Sequence, residues 1–64
     1  MHVDEWCYSV MEEYLDFMKF RKSERREMRI VITKKIQTLS EDELVNYFSK
    51  IEEFMIQQRM LQQS

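Results

Sequence analysis

The chain of 64 residues contains neither glycine nor proline, and this absence limits its fold more than any other feature. Proline interrupts a helix, and glycine supplies the positive φ that tight hairpin turns need. Without them, every turn must be made by ordinary residues, and nothing breaks a helix by force. The remaining composition is rich in Met, Glu, Lys, Arg, Gln and Leu, all of which favour helix. The sequence therefore predicts an all-α fold and argues against a sheet.

The length predicts a single small helical domain over residues 1–64. A domain this short is marginal alone and usually needs disulfides, a metal or oligomerisation. Cys7 is the only cysteine and His2 the only histidine, so no disulfide can form within one chain and metal-site spacings are missing. No cofactor is expected. Close helix packing, self-association and folding on a partner remain as ways to stabilise the domain.

Apolar residues at spacings of three and four predict three helices, at about 3–20, 24–38 and 41–62. Ser23 is the candidate N-cap of the second helix, although the first two helices could also form one bent rod. Ser40 followed by Glu43 is a capping-box pattern. We expect a small three-helix bundle or helical hairpin that is dimeric, because the apolar surfaces of the first and third helices are wider than one chain can bury.

One segment conflicts with this interpretation. The run Ile30-Val31-Ile32-Thr33 is β-branched throughout, and such residues prefer a strand. A ribbon-helix-helix protein would place a strand here and two helices after it. Only one clear helix start follows, so a helix is favoured, and on a helix Ile30 would be exposed or buried against a second partner.

Charge is segregated along the chain although the net charge is only −2. Residues 1–18 carry five acids and no base, residues 19–35 carry eight bases and two acids, and residues 36–64 carry five acids and two bases. The middle segment contains a basic ridge formed by Arg21, Arg25, Arg26 and Arg29. This ridge could bind nucleic acid or an acidic protein. The favoured alternative is internal balance, in which the basic helix lies against acidic helices of the bundle.

No set of residues supports catalysis, and we expect a protein that is not an enzyme. His2 lies at the terminus and is an improbable partner for Cys7, which is expected to be a buried helix residue. Adjacent acids such as Glu12 and Glu13 point about a hundred degrees apart on a helix. No glycine is present for a phosphate-binding loop. A small-molecule substrate is therefore not expected.

Large aromatic side chains are the candidates for a protein interface, because such residues carry most binding energy when they are exposed. Each could instead lie in the core of the chain or of a dimer. The candidate partner and interface residues are Trp6, Tyr14, Phe17, Tyr47, Phe48 and Phe54.

Part of the sequence resembles the Hha family of small, all-helical bacterial modulators of gene expression. The similar residues are Val31-Ile32-x-Lys34 and Leu39-Ser40-Glu41-Asp42-Glu43-Leu44-x-x-Tyr47-Phe48-Ser49. The resemblance implies a short, a medium and a long helix and a protein that acts by binding the nucleoid protein H-NS. The Leu-Ser-acid-Glu-Leu start also resembles the sporulation antikinase Sda, another small helical regulator.

The beginning of the chain is acidic and lacks the basic and apolar regions of a signal peptide, and no stretch is apolar enough for a membrane span. With its lone thiol, the protein is expected in the cytoplasm. The sequence predicts a small regulatory or adaptor protein that binds another protein, itself or both through an apolar helix face. The alternatives are a nucleic-acid-binding regulator that uses residues 19–35 and a structural helical subunit of a larger assembly.

Overall fold

The computed structural model describes residues 2–63, and within that range it contains three α-helices and no strand. The helices are α1 (Val3–Phe17), α2 (Lys22–Thr38) and α3 (Glu41–Gln63). The predicted all-α fold is confirmed. The β-branched run 30–33 lies inside α2, so the ribbon-helix-helix alternative is wrong, and Ile30 is 54% exposed, as expected for that position on a helix.

The first two helices are separated by a turn rather than joined as a bent rod. The predicted end of α1 near residue 20 is wrong by about one turn, because Met18 caps the helix by donating its N–H to Tyr14 O at 2.9 Å. Lys19 then adopts φ 54°, a left-handed conformation that glycine usually adopts at the end of a helix. The chain has no glycine to offer, so a lysine reverses the chain direction here.

The start of α2 also differs from the prediction. Arg21, not Ser23, is the N-cap, and its backbone N–H donates to Glu24 Oε1 at 3.1 Å. Ser23 is the second residue of α2 and makes no capping hydrogen bond. The helix therefore begins at Lys22, two residues before the predicted bound.

The turn between α2 and α3 follows the predicted capping box. Glu43 N–H donates to Ser40 Oγ at 3.3 Å, and Ser40 N–H donates to Glu43 Oε1 at 3.1 Å. The hydroxyl and the backbone N–H of Ser40 lower the pKa of the Glu43 carboxyl. The first turn of α3 also contains three acids, Glu41, Asp42 and Glu43. They lie at the positive end of the helix dipole, where negative charge stabilises the helix.

The capping box predicts a measurable loss on Ser40→Ala. Removing an N-cap hydroxyl lowers the free energy of unfolding by about 1 kcal/mol. The matched control is Ser23→Ala, because Ser23 is exposed and caps no helix. This control should change the free energy of unfolding by less than about 0.5 kcal/mol. Urea unfolding followed by circular dichroism measures both. Equal effects of the two variants would contradict the assignment of Ser40 as the cap.

The same contact gives a pH dependence. The pKa of Glu43 is lowered in the folded state, so its stabilising contribution is present above the unfolded-state pKa and is lost as the pH falls through the lowered folded-state pKa. In Ser40→Ala, the acid-induced loss of stability should therefore be shallower than in the wild type. An unchanged acid limb of the stability profile would contradict this linkage.

Helix α1 lies at the centre of the bundle and packs against both α2 and α3, which contact each other little. Helix α2 runs antiparallel to α1, since Arg29 meets Glu12 and Arg25 meets Asp16. Helix α3 runs along α1 in the same direction, since Trp6 meets Phe48 and Phe17 meets Phe54. The core contains no polar residue among residues 2–63 and consists of Cys7, Val10, Met11, Leu15, Ile32, Ile36, Leu44, Phe48 and Met55. No helix in this range is long and apolar enough to cross a membrane.

Burial of Cys7 predicts an unreactive thiol. Its side chain is fully buried, and burial, with Asp4 nearby, raises the pKa of the thiol. The thiolate is the reactive form, so an aromatic disulfide reagent should label Cys7 in the native chain only through opening of the fold. In mildly alkaline buffer, the labelling rate of the native chain should be slow, and addition of denaturant should raise it to the rate of a free thiol. Equal rates in native and denaturing buffer would contradict the burial of Cys7.

Candidate protein-binding groove

An apolar groove runs between α2 and α3 on the side of the bundle opposite the body of α1. Its volume is about 330 Å³, within the size range of ligand-binding clefts. Tyr14 of α1 contributes its floor, Met28 and Ile32 line the α2 wall, and α3 supplies the remaining residues. The α3 wall consists of Tyr47, Lys50, Ile51 and Phe54.

The groove exists because α3 carries two neighbouring apolar stripes and the bundle core covers only one of them. On an α-helix, residues three and four apart lie on one face. In α3, Leu44, Phe48 and Met55 turn toward the bundle core and are buried. The neighbouring stripe of Tyr47 and Phe54 borders the groove, and α2 contacts α3 too little to cover it fully. Tyr47 is therefore half-buried and Phe54 is exposed.

Three aromatic residues of the groove are held by rings behind them. Tyr47 packs edge-on against buried Phe48 with ring centroids 5.3 Å apart, and Tyr14 packs in the same way against Phe20 at 6.2 Å. Phe54 is 39% exposed, and its ring meets Phe17 at 6.2 Å. Such edge-to-face pairs are favourable contacts, so each of these three rings is supported by a neighbouring ring of the same chain.

Two lysines edge the groove near Tyr47. Lys35 Nζ lies 5.2 Å from the centre of the Tyr47 ring, at a distance suited to a cation–π contact. Lys50 lines the groove from the α3 side. A shallower depression of about 270 Å³, which also contains Leu39 and Asn46, shares Tyr47 and Lys50 with the groove and extends it toward the α2–α3 turn.

The structure divides the predicted interface residues between core and surface. Phe48 is fully buried and is a core residue. Trp6 is half-buried and packs edge-on against Phe48 with centroids 6.3 Å apart. Phe17 is half-buried beneath Phe54 and the Arg59 guanidinium, whose carbon lies 5.5 Å from its ring centre. The other three predicted residues line the groove: Tyr14, Tyr47 and Phe54.

Sequence reasoning did not identify the other residues of the groove. They are Met28, Ile32, Lys50 and Ile51, with Lys35 at the rim. The sequence feature that pointed to the groove was the wide apolar surface of the third helix. It indicated a second interface but did not show which residues form it. Finding the groove also requires the angle between α2 and α3, which no local pattern encodes.

The basic ridge is partly neutralised by α1. Arg29 forms a two-point contact with Glu12, with Nε–Oε1 and Nη2–Oε2 distances of 3.0 Å each, and this contact raises the pKa of Arg29. Arg25 Nη1 donates to Asp16 Oδ1 at 2.8 Å, and its Nε donates to the Phe20 carbonyl at 3.3 Å. Two of the four ridge arginines thus tie α2 to α1, which supports the interpretation of internal charge balance.

The other two ridge residues are placed differently. Arg21 caps α2 through its backbone, and Arg26 is exposed. A further ion pair joins Arg59 Nη2 of α3 to Glu13 Oε1 of α1 at 3.0 Å. The acids of α1 therefore contact basic residues on both neighbouring helices.

A second apolar stripe lies on α3 away from the groove. Val45, Ile56 and Met60 are 43%, 53% and 66% exposed, and helical periodicity puts them on one side of α3. The described residues thus present an exposed apolar stripe on α3 in addition to the groove.

No protein-family model, curated protein or solved structure matches the chain. Among residues 2–63, no group of three or more His, Cys, Asp or Glu side chains is arranged to hold a metal ion.

Proposed function

We propose that the protein is a small non-catalytic regulator or adaptor that binds a helix of another protein in the α2–α3 groove. The observation that carries this proposal is an apolar groove of about 330 Å³ in which Tyr14, Tyr47 and Phe54 each pack on a neighbouring ring. An amphipathic helix that lies in a hydrophobic groove is a recurrent mode of protein recognition. Regulation of transcription, which the Hha resemblance suggests, or regulation of a signalling protein is the expected setting.

A helix suits this groove better than a compact ligand does. The cleft is open and lies between two helices that both pack on α1. A fourth helix placed along it would lie opposite α1 and bury Ile51 and Phe54 in the manner of a four-helix bundle. Residues at i, i+3, i+4 and i+7 of the partner would fill the groove.

Self-association is a second proposal and uses a different surface. A 64-residue domain is marginal alone, and the exposed stripe of Val45, Ile56 and Met60 could pair with that of a second copy while the groove stays open. Sedimentation equilibrium at low and high salt tests this. A dimer whose Kd is independent of salt is expected. A monomer at both salts, or a dimer that dissociates as salt rises, would contradict an apolar interface.

The two remaining alternatives receive less support. A nucleic-acid-binding ridge would need its arginines for phosphates, and Arg25 and Arg29 are already paired with carboxylates of α1. A structural subunit that folds only within an assembly does not require the enclosed apolar core that α1 forms with both other helices. Steeply salt-dependent DNA binding, or a poorly folded isolated chain, would reopen the respective alternative.

The main proposal is tested by fluorescence anisotropy with a labelled helical peptide. The probe carries leucine at i, i+3, i+4 and i+7 and glutamine at the positions beside them, so that binding depends on apolar contact alone. Saturable binding with one peptide per chain is expected. A control peptide with the same composition and a scrambled stripe should not bind. Equal binding of both peptides, or of neither, would contradict recognition of an amphipathic helix by the groove.

A further inference from the structure

We infer that the partner helix is acidic, with carboxylates on both edges of its apolar stripe, and that Lys50 of the groove and Lys35 of the adjoining depression receive them. This inference rests on the proposed function and specifies the partner's chemistry. It concerns charge at the rim of the groove, whereas the proposed function concerns apolar contact within it.

The first support is the position of the two lysines. Lys50 lines the groove on the α3 side, and Lys35 belongs to α2 and borders the adjoining depression that shares Tyr47 with the groove. A helix lying between these walls would have one lysine beside each of its edges. Complementary charges at the edges of an apolar seam set partner choice in coiled coils by the same geometry.

The second support is that both lysines are available. Within residues 2–63, the ion pairs use only Arg25, Arg29 and Arg59 as cations, so neither groove lysine is neutralised by a carboxylate. The Tyr47 ring keeps Lys35 near the groove without removing its charge. These two ammonium groups can therefore contact an incoming anion without first losing an ion pair inside the chain.

The third support is that the acid at the same rim is held at a helix N-terminus. Glu43 borders the depression near Lys35 and Lys50, and its carboxylate accepts the backbone N–H of Ser40 at 3.1 Å. This hydrogen bond leaves the carboxylate charged and directs it toward the N-terminus of α3, where a negative charge is stabilised. Within residues 2–63, Lys35 and Lys50 are the charged groups at this rim that form neither an ion pair nor a capping hydrogen bond.

A second copy of the chain does not fit this description. The apolar stripe of its acidic α1 is buried in its own core through Cys7, Val10, Met11 and Leu15. The exposed stripe of its acidic α3 is the surface proposed above for self-association, which leaves the groove open. Its groove face carries the same two lysines, so face-to-face pairing would bring like charges together. A hetero-partner with an acidic amphipathic helix satisfies both the apolar surface and the charge.

Three labelled peptides with one identical leucine stripe test the inference. Their edge positions carry glutamate, glutamine or lysine, and binding is measured by fluorescence anisotropy at low salt. Two exposed ion pairs should make the glutamate peptide bind about two- to thirtyfold more tightly than the glutamine peptide. The lysine peptide should bind most weakly. The chain itself carries a net charge of −2, so preference for an acidic peptide cannot come from overall attraction.

Matched double variants locate the preference. Lys35→Gln/Lys50→Gln should bind the glutamate and glutamine peptides equally well. Lys22→Gln/Lys34→Gln makes the same change in net charge at two exposed positions of α2 that line neither the groove nor the depression, and it should retain the preference. Equal binding of the two peptides by the wild type, or a preference that survives Lys35→Gln/Lys50→Gln, would overturn the inference and leave the proposed function intact. If no striped peptide binds, both fail.

Discussion

Phe48→Ala is expected to lower the free energy of unfolding by about 3–5 kcal/mol, the usual loss when a buried phenylalanine is truncated. Phe48 is fully buried at the junction of α1 and α3 and contacts the rings of Trp6 and Tyr47. A domain of this size has a total stability of about 3–10 kcal/mol. The substitution should therefore leave the chain marginally folded or unfolded at room temperature, and urea unfolding followed by circular dichroism measures the loss.

Val45→Ala is the matched control for Phe48→Ala. Val45 lies three residues earlier on the same helix and is 43% exposed, so its truncation should cost less than about 1 kcal/mol. The single tryptophan, Trp6, gives an independent readout, because its fluorescence reports on the core beside Phe48. A loss below about 1.5 kcal/mol for Phe48→Ala would be smaller than a filled core position allows and would contradict the packing of α3 on α1.

Phe54→Ala should weaken binding of the leucine-striped peptide by about thirtyfold, equivalent to the 2 kcal/mol that marks an interface hot spot. Phe54 combines an exposed ring with support from Phe17, so a partner side chain would meet a fixed aromatic surface. Fluorescence anisotropy gives the Kd. Met28→Ala, on the opposite wall of the groove, should also weaken binding and does not disturb the contact between Phe54 and Phe17.

Ile56→Ala is the control for the groove variants. Ile56 is two residues beyond Phe54 on α3 and is 53% exposed, but it lies outside the groove. Its truncation should leave the Kd unchanged, and thermal unfolding of each variant verifies that it is folded. Equal losses from Phe54→Ala and Ile56→Ala would show that the peptide binds apolar surface without preference for the groove.

Local signals were sufficient to predict most of the fold. The periodicity of apolar residues located the three helices, and the Ser40–Glu43 pattern identified the start of α3, because each depends on residues within one or two turns. The errors fall at the α1–α2 turn. There, Lys19 adopts a left-handed conformation, which the sequence does not indicate because no glycine marks the position. Arg21 occupies the N-cap position of α2, where arginine is an unusual residue.

The candidate site was less predictable. Tyr14, Tyr47 and Phe54 were identified as large apolar residues, but Phe48 and Trp6 have the same chemistry and lie in or against the core. Residue type does not separate these positions, because exposure depends on how α2 and α3 diverge around α1. For the arginines, the segregation of charge indicated balance between helices, and the pairing of Arg29 with Glu12 became evident only from the antiparallel register of α1 and α2.

The most direct test of the account is to map the peptide contact on the isotope-labelled chain by nuclear magnetic resonance. Titration with the glutamate-edged helical peptide should shift the signals of Met28, Ile32, Tyr47, Ile51 and Phe54 and leave those of Val45 and Met60 unchanged. Such a pattern would place the partner helix between α2 and α3. Shifts concentrated on the side of α3 away from the groove, or no saturable shifts at all, would contradict the assignment of the α2–α3 groove as the binding site.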